Sequence, residues 1–512
     1  MKILALALKN IQASLIFLAR LFVSLRQISK TVMKQIGYII ITLVSSVLFS
    51  LIGCTDDYHT SNSPNFKLGF SEDTISFDTV FTTIGTPTNQ LVIYNKNKYG
   101  IKFDAYLAGG NGSPFKINMD GNSGTTFSDM EIRDNDSAYC FISATLKQQH
   151  IAAPTPVTDS LIFILESGIQ QQVQIIAYGQ DVIIVKGKTI TSDTLFTSEY
   201  PFYIYDSLVV AANAELKIAA GSKLHFHKNA GLTVKGKITA IGNNDSIIEF
   251  RGGRTDNLFD DLPYDQLSDQ WQGIHLTTES FGNNFEFCDI RNGRYGIKAD
   301  SSNVEELKIA VLSSKIQNTT DHLLELNNCY TTFGNSLIVN AGGNCINING
   351  GRHSFTFCTI ANFYLWGSRS ESVAITNKGN KYPYPLQNAE FTNCIITGTS
   401  RNEFTTSLSD SINGDTIAVA DYKISHSLVL TSDTTNKAFE KCVFDNPENP
   451  ISGIKQFKHI ADGDYSYDFK LDSLSTARGI ANNIYVQYFT TDINGRIRPI
   501  DTPSDAGCYQ SE

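Results

Sequence analysis

The sequence predicts an all-β protein in which a β-sandwich is followed by a β-solenoid. Three observations lead there. Composition is the first: only 18% of the 512 residues are charged, and there are two tryptophans and four methionines, while Asn, Ser, Thr and Gly are plentiful, a profile of β-rich extracytoplasmic chains. The second is the stretch from Ser207 to Gly253. Its apolar residues come as short alternating pairs (Leu216 and Ile218, Leu224 and Phe226, Leu232 and Val234), broken by turns such as Ala220-Gly221-Ser222. Alternation marks strands with one buried face. Bursts recurring about every eight residues leave no room for helices, so successive strands must turn corners and stack. The third is a recurrent Phe-x-x-Cys-x-apolar block at Phe285/Cys288/Ile290, Phe355/Cys358/Ile360, Phe391/Cys394/Ile396 and Phe439/Cys442/Phe444. Its irregular intervals imply insertions at corners. Residues at one place in successive coils stack about 4.8 Å apart, which predicts core ladders of Phe, Ile and Cys.

In chain order, residues 34–54 read as a lysine, an apolar run and then Leu51-Ile52-Gly53-Cys54. This has the shape of a secretory signal, and Leu-x-Gly-Cys resembles the lipobox at which bacteria attach lipid to cysteine and cleave before it. Cys54 is then the lipidation site and the lipid the contact with the membrane. A signal of normal length begins at Met33, which makes residues 1–32 an upstream start-site extension. Thr55-Asp56-Asp57-Tyr58 resembles the short acidic tract of Bacteroidota-type lipoproteins exported to the outer leaflet. The expected address is therefore the outer membrane, exposed at the cell surface, with a periplasm-facing protein as the alternative. Residues 54–65 are polar and fit a tether.

Residues 66–180 contain strand-like runs, among them Thr74–Phe77, Gln90–Tyr94, Ala138–Ala144, Leu161–Leu165 and Val173–Ala177, separated by turn residues, as in a β-sandwich. The order Phe77-Asp78-Thr79-Val80, Ile84-Gly85, Leu91 to Asn95, Ser113 to Ile117 and Ile176-Ala177-Tyr178-Gly179 resembles immunoglobulin-like domains of the ASPM/SPD-2/Hydin type. That resemblance implies a spacer or interaction module.

Residues 181–512 form the solenoid. The opening coils, with Val234-Lys235-Gly236 and Trp271-Gln272-Gly273-Ile274, resemble bacterial right-handed parallel β-helix repeat proteins, and so imply a pectate-lyase-like solenoid. Near the end, Asp492-Ile493-Asn494-Gly495-Arg496-Ile497-Arg498 and Asp505-Ala506-Gly507-Cys508-Tyr509 resemble the terminal coil of those proteins, although Ala506, Cys508 and Gln510 depart from its pattern. This segment is expected to cap the open end of the solenoid.

Charge limits the partners. The chain carries −10 overall, and without residues 1–53 it holds 35 basic against 51 acidic residues, or −16. Nucleic acid requires a basic footprint, so it is not an expected partner; a glycan or another envelope protein is. Nine cysteines in an exported protein invite disulfides, yet four share one repeat position beside Phe and Ile, where a thiol packs as a small apolar group. Free, buried cysteines are expected.

Chemistry can be sought in four places. Asp256, Asp260, Asp261, Asp265 and Asp269 crowd one insert and could offer oxygens to Ca²⁺, or form a solvated loop; no other cofactor is expected. Asp289, Arg291 and Arg294, with Lys298 and Asp300, could supply the base and charge partner of a polysaccharide lyase or glycosidase, or form surface ion pairs. His225 and His227 flank Phe226 and should both point outward, as a metal pair or merely towards solvent. Trp366, Tyr382 and Tyr384 could stack on sugar rings, or pack within corner loops. The favoured function is a non-catalytic binding or structural role, in which the solenoid face could bind a glycan or another surface component. A polysaccharide lyase or glycoside hydrolase acting on the solenoid face is the alternative.

Overall fold

The computed structural model describes residues 40–43, 59–259, 262–379, 384–409, 411–412, 415–416, 421–449, 451–461 and 463–511. Cys54, Asp260, Asp261 and Tyr382 lie outside them. No helix of the described residues is long and apolar enough to cross a membrane.

The chain enters a sandwich at Thr60, which bridges to Gly100. Two five-stranded sheets face one another, and strand alternation builds the core between them. Ile101–Leu107 buries Ile101, Phe103, Ala105 and Leu107, and Asp136–Ala144 buries Ala138, Cys140, Ile142 and Ala144. The first long strand, Thr74–Phe81, pairs in parallel with the last, Gln170–Gln180, and lies at the edge of its sheet. Asp181 follows directly. Its buried carboxylate accepts from the Thr82 hydroxyl and the amides of Gln149 and Ile151, pinning the exit from the sandwich.

From Ile183 the chain winds into a parallel β-helix with three faces. The first face runs through Lys223–Phe226, Ile248–Gly252, Cys288–Arg291, Lys315–Thr319, Leu337–Ala341, Thr359–Asn362 and Ile395–Gly398. The second includes Ile274–Leu276, Ile297–Ala299, Leu324–Asn327, Ile346–Asn349 and Val373–Thr376, and the third is a ten-stranded sheet from Thr194–Phe196 to Phe439–Glu440. The expected ladders are present. Ile290, Ile316, Ile338, Ile360 and Ile396 stand in register on the first face. Phe333, Phe355 and Phe391 do so on the third, with ring centroids 4.8 and 4.7 Å apart and planes within 7° and 4°. Strand spacing thus dictates ring stacking.

The repeat is more regular than the Phe-x-x-Cys block suggested. From Phe287 onward, at each corner from the third face to the first, one residue takes positive φ: Phe287, Ser313, Asn335, Phe357, Asn393, His426 and Lys441, with φ between 47° and 57°. The next residue is Cys or Ser at all seven of these corners. Ser314 Oγ accepts from the Cys288 amide, Ser336 Oγ from the Ser314 amide and Ser427 Oγ from the Cys394 amide, so the column needs a small side chain, and serine disguised three of the coils. Steps of 22, 26 and 33 residues along this column locate the variable length in the other corners. The cysteines at residues 140 to 508 are unpaired, and all but Cys442 are buried. Burial pushes the thiols of Cys288, Cys329, Cys345, Cys358, Cys442 and Cys508 up, and that of Cys140 to about 12, which suits packing groups and not nucleophiles.

The C-terminal segment does not sit over the end of the solenoid. It lies along the outside of the first face, where Phe457, Phe469, Leu471, Ala506 and Cys508 cover the outward side chains of Leu337, Val339, Ala361 and Ile395. Outward positions of this face are apolar in these coils and in the next ones, at Leu428 and Val443, and they draw the segment onto the flank. Arg498, also buried, donates to Asn335 Oδ1 at 2.9 Å and stands 4.0 Å from the Phe357 ring. Phe439 and Phe444, in the last coils, stay half-buried.

Asp445 ties this cover to the solenoid. It accepts from Gln456 Nε2 at 2.7 Å and Thr397 Oγ1 at 3.4 Å, and burial raises its carboxyl to about 6. A carboxyl raised on folding contributes most below its unfolded value near 3.8 and loses that contribution as pH rises to about 6. Asp445→Asn should therefore raise the melting temperature at pH 7.5, by about 2–3 kcal/mol of stability, and the gain should vanish towards pH 4. Melting curves of both proteins across pH 4–8 would show it; a variant equally or less stable at pH 7.5 would refute it.

Candidate functional site

Three of the polar residues that the sequence singles out, His225, Asp289 and Arg291, fall on the outside of the first face, in the coils that precede its apolar half. Register stacks Lys223, Glu249, Asp289 and Lys315 in one column and His225, Arg251, Arg291 and Gln317 in the next. Asp265, from the acidic insert, folds over them. Arg291 donates through Nε to Asp265 at 3.0 Å, through Nη1 to Asp289, and lies 3.4 Å from Glu249. Arg251 meets Asp265 at 2.8 Å, and Gln317 donates to the other oxygen of Asp289 at 3.0 Å. Burial opposes the charge on Arg291, but Asp289, Asp265 and Glu249 outweigh it and hold the guanidinium above the ordinary arginine value. A base in this position would have to give up its proton near neutral pH; this one is held protonated by three carboxylates.

The candidate lyase set is divided. Asp289 and Arg291 share the network, whereas Arg294 is exposed at the corner, its amide bonded to the Trp271 carbonyl. Lys298 belongs to the second face and pairs with Glu325 at 3.0 Å, and Asp300 pairs with His275 at 2.8 Å. The corner at Asn292–Gly296 turns the chain between faces, so closeness in sequence is not closeness on a surface. Glu249, Arg251 and Gln317 are the members that the sequence reading missed. Aligning Ile248-Glu249-Phe250-Arg251, Cys288-Asp289-Ile290-Arg291 and Ser314-Lys315-Ile316-Gln317 on their interior Phe or Ile would have found them.

The two histidines also part. His227 is exposed beside Tyr205, with ring centroids 4.8 Å apart. His225 does not face solvent as expected; it is buried beneath Phe81 of the sandwich, 4.7 Å away edge-on, and Phe81 also meets Tyr203 at 5.7 Å. Burial, reinforced by Arg251, pulls His225 down to about 3 and keeps it neutral. An outward strand position was buried by a second domain, which alternation alone cannot reveal.

Within the insert, Asp256 pairs with Arg254, whose guanidinium lies 3.5 Å over the Tyr264 ring, and exposed Asp269 takes a positive φ. Asp256 and Asp265 are thus each committed to arginine. Among the described residues no three His, Cys, Asp or Glu side chains converge in a way that could hold a metal ion. Trp366 is half-buried, donates to the Gln266 carbonyl at 2.9 Å and stacks on Tyr465 at 5.3 Å. It therefore bridges the acidic insert and the C-terminal cover. Tyr384 lies on a different corner, its amide bonded to Asn377.

A cleft of about 950 Å³ opens where the sandwich meets the solenoid. One wall is the edge strand Thr74–Phe81 with Thr86–Gln90, and the other is Arg254 with Asp256–Phe259. Thr255 Oγ1 reaches across to the Thr79 carbonyl at 3.1 Å, and Asn89 Nδ2 donates to the Ser76 carbonyl. Leu258 and Phe259 project at its mouth, Phe259 being 65% exposed.

No family model and no curated protein matches the sequence. The likeness to solved structures is slight. A family 123 glycoside hydrolase from Clostridium perfringens aligns at 9% identity and TM-score 0.18, over 24% of this chain and 30% of that one. The seventh PapD-like (ASH) domain of human CEP192 aligns at 10% identity and TM-score 0.17, over 25% of this chain and 94% of that domain. The Agl-KA catalytic domain aligns at 9% identity and TM-score 0.19, over 70% of this chain and 80% of that one.

Proposed function

We propose that this is a non-catalytic envelope lipoprotein, anchored through Cys54 in the outer membrane and facing the cell surface, that binds a neutral glycan at the junction of its two domains. The cleft carries this reading. It is large enough for several sugar units, its walls offer the hydroxyls and amides of Ser76, Thr79, Thr88, Asn89 and Gln90, and Phe259 presents an open ring. An exposed ring stacks on sugar faces at little cost in entropy. The sandwich, entered at the end bearing Thr60, would hold the cleft away from the membrane. A role as an enzyme of the solenoid face is less well supported, because Asp289 and Arg291 are engaged with each other and with Asp265.

Affinity electrophoresis of the full chain in detergent, through gels containing different neutral polysaccharides, tests the proposal. Retardation by at least one of them is expected, and Phe259→Ala should weaken it about tenfold while leaving the melting temperature unchanged, since the ring is exposed. Retardation indifferent to Phe259→Ala, or sugar release from the polymer during the run, would overturn it.

A further inference from the structure

The C-terminal cover carries a second pocket of about 290 Å³, lined by Lys458, Lys470, Arg478 and Arg496, with Asp492 as the carboxylate among them. In a chain of net charge −10, four cations around one small pocket is an uncommon concentration. The fold imposes it. Phe457–Ile460 and Tyr467–Leu471 pair as a hairpin with Phe457 opposite Leu471. Their apolar side chains face the solenoid, so Lys458 and Lys470 are set side by side on the outer surface. Like charges on neighbouring strands repel. Lys470 lies 3.8 Å from the Asp468 carboxylate. Arg478 is held at the rim by the Ser473 carbonyl at 3.4 Å, and Arg496 follows the turn that begins at Asp492.

Asp492 offsets one of these charges. It is buried, Oδ1 accepts from the amides of Asn494 and Arg496, and Oδ2 accepts from the Gln510 amide. Its oxygens are spent on shaping the turn. The rest of the lining is Leu471, Ser473, Asn494, Tyr509, Gln510 and Ser511: hydroxyl and amide groups with one apolar and one aromatic side chain. That mixture suits a sugar ring, and the volume suits a single residue of a polymer more than a bare ion.

We propose that this pocket binds an acidic saccharide unit through the oxyanion that it bears, a uronate carboxylate or a sulfate ester. Lys458 and Lys470 supply point charges, and Arg478 and Arg496 the planar donors that match such oxyanions. The proposal stands apart from the junction cleft, with which the pocket shares no residue.

Isothermal titration of the full chain in detergent with polygalacturonate oligosaccharides, with a sulfated oligosaccharide and with a neutral dextran oligosaccharide tests it. Binding to one or both acidic probes is expected, weakening as salt rises, and the probe that binds identifies the oxyanion. The Lys458→Gln/Lys470→Gln double variant should lose binding at least tenfold with an unchanged melting temperature, both side chains being exposed, while Phe259→Ala should bind the acidic probe as the parent does. No heat with either acidic probe, dextran binding that the double variant loses to the same extent, or undiminished acidic-probe binding by the double variant would overturn the proposal.

Discussion

Arg291→Ala is expected to destabilise the protein by about 3 kcal/mol, within the range found when one partner of a buried ion pair is removed. Three carboxylates, Asp265, Asp289 and Glu249, converge on this guanidinium. Without it they face one another on a surface covered by the insert, with Arg251, Gln317 and Lys223, the last 3.5 Å from Glu249, as the remaining partners among the described residues. Partial exposure lets water screen some of the repulsion, which keeps the expected value below the upper end of the range. Chemical denaturation at low and high salt would measure it, the deficit shrinking at high salt. Glycan retention at the junction cleft should change little, since Arg291 does not line it. A variant as stable as the parent that abolished sugar release from a substrate would reverse the assignment, making Arg291 part of a catalytic site.

Phe355→Ala should cost more, about 3–5 kcal/mol. Phe355 is buried between Phe333 and Phe391, with parallel rings on both sides. Its removal leaves a cavity that neither neighbour can fill, because each is fixed in its own coil by strand register. In a solenoid each coil is stabilised chiefly by its neighbours, so the loss separates the coils before Phe355 from those after it. Denaturation should become less cooperative, with a lower midpoint and a broader transition, visible by circular dichroism. An unchanged midpoint would mean that the Phe ladder contributes little to stability.

These two residues differ in how far they were legible. Phe355 belongs to a local pattern, because alternation and the recurring Cys or Ser after a tight corner are written within a few residues, and its place in the core followed directly. Arg291 was legible as an outward-facing residue, a member of a lyase set or of an ion pair with Asp289, but not as the centre of a network with Asp265 and Glu249. Whether an outward position meets solvent, an insert or another segment depends on what lies across from it, and strand periodicity is silent on that. His225 makes the same point, being outward on its strand yet covered by Phe81 from a different domain. The C-terminal motif was visible too, but not its seat on the flank, since the apolar outward residues Leu337, Val339 and Ala361 gain their meaning only once the coils are superposed.

The sequence by itself determined the all-β class, the alternation of buried and exposed residues and the composition of the ladders, because these follow from backbone geometry repeated over short distances. The tertiary structure alone decided which polar groups neutralise one another and where clefts remain. Trp366 meets Gln266 across 100 residues and Arg498 meets Asn335 across 163. Contacts of that span are set by the lengths of corner insertions and by which surfaces are left apolar, and neither quantity has a local signature.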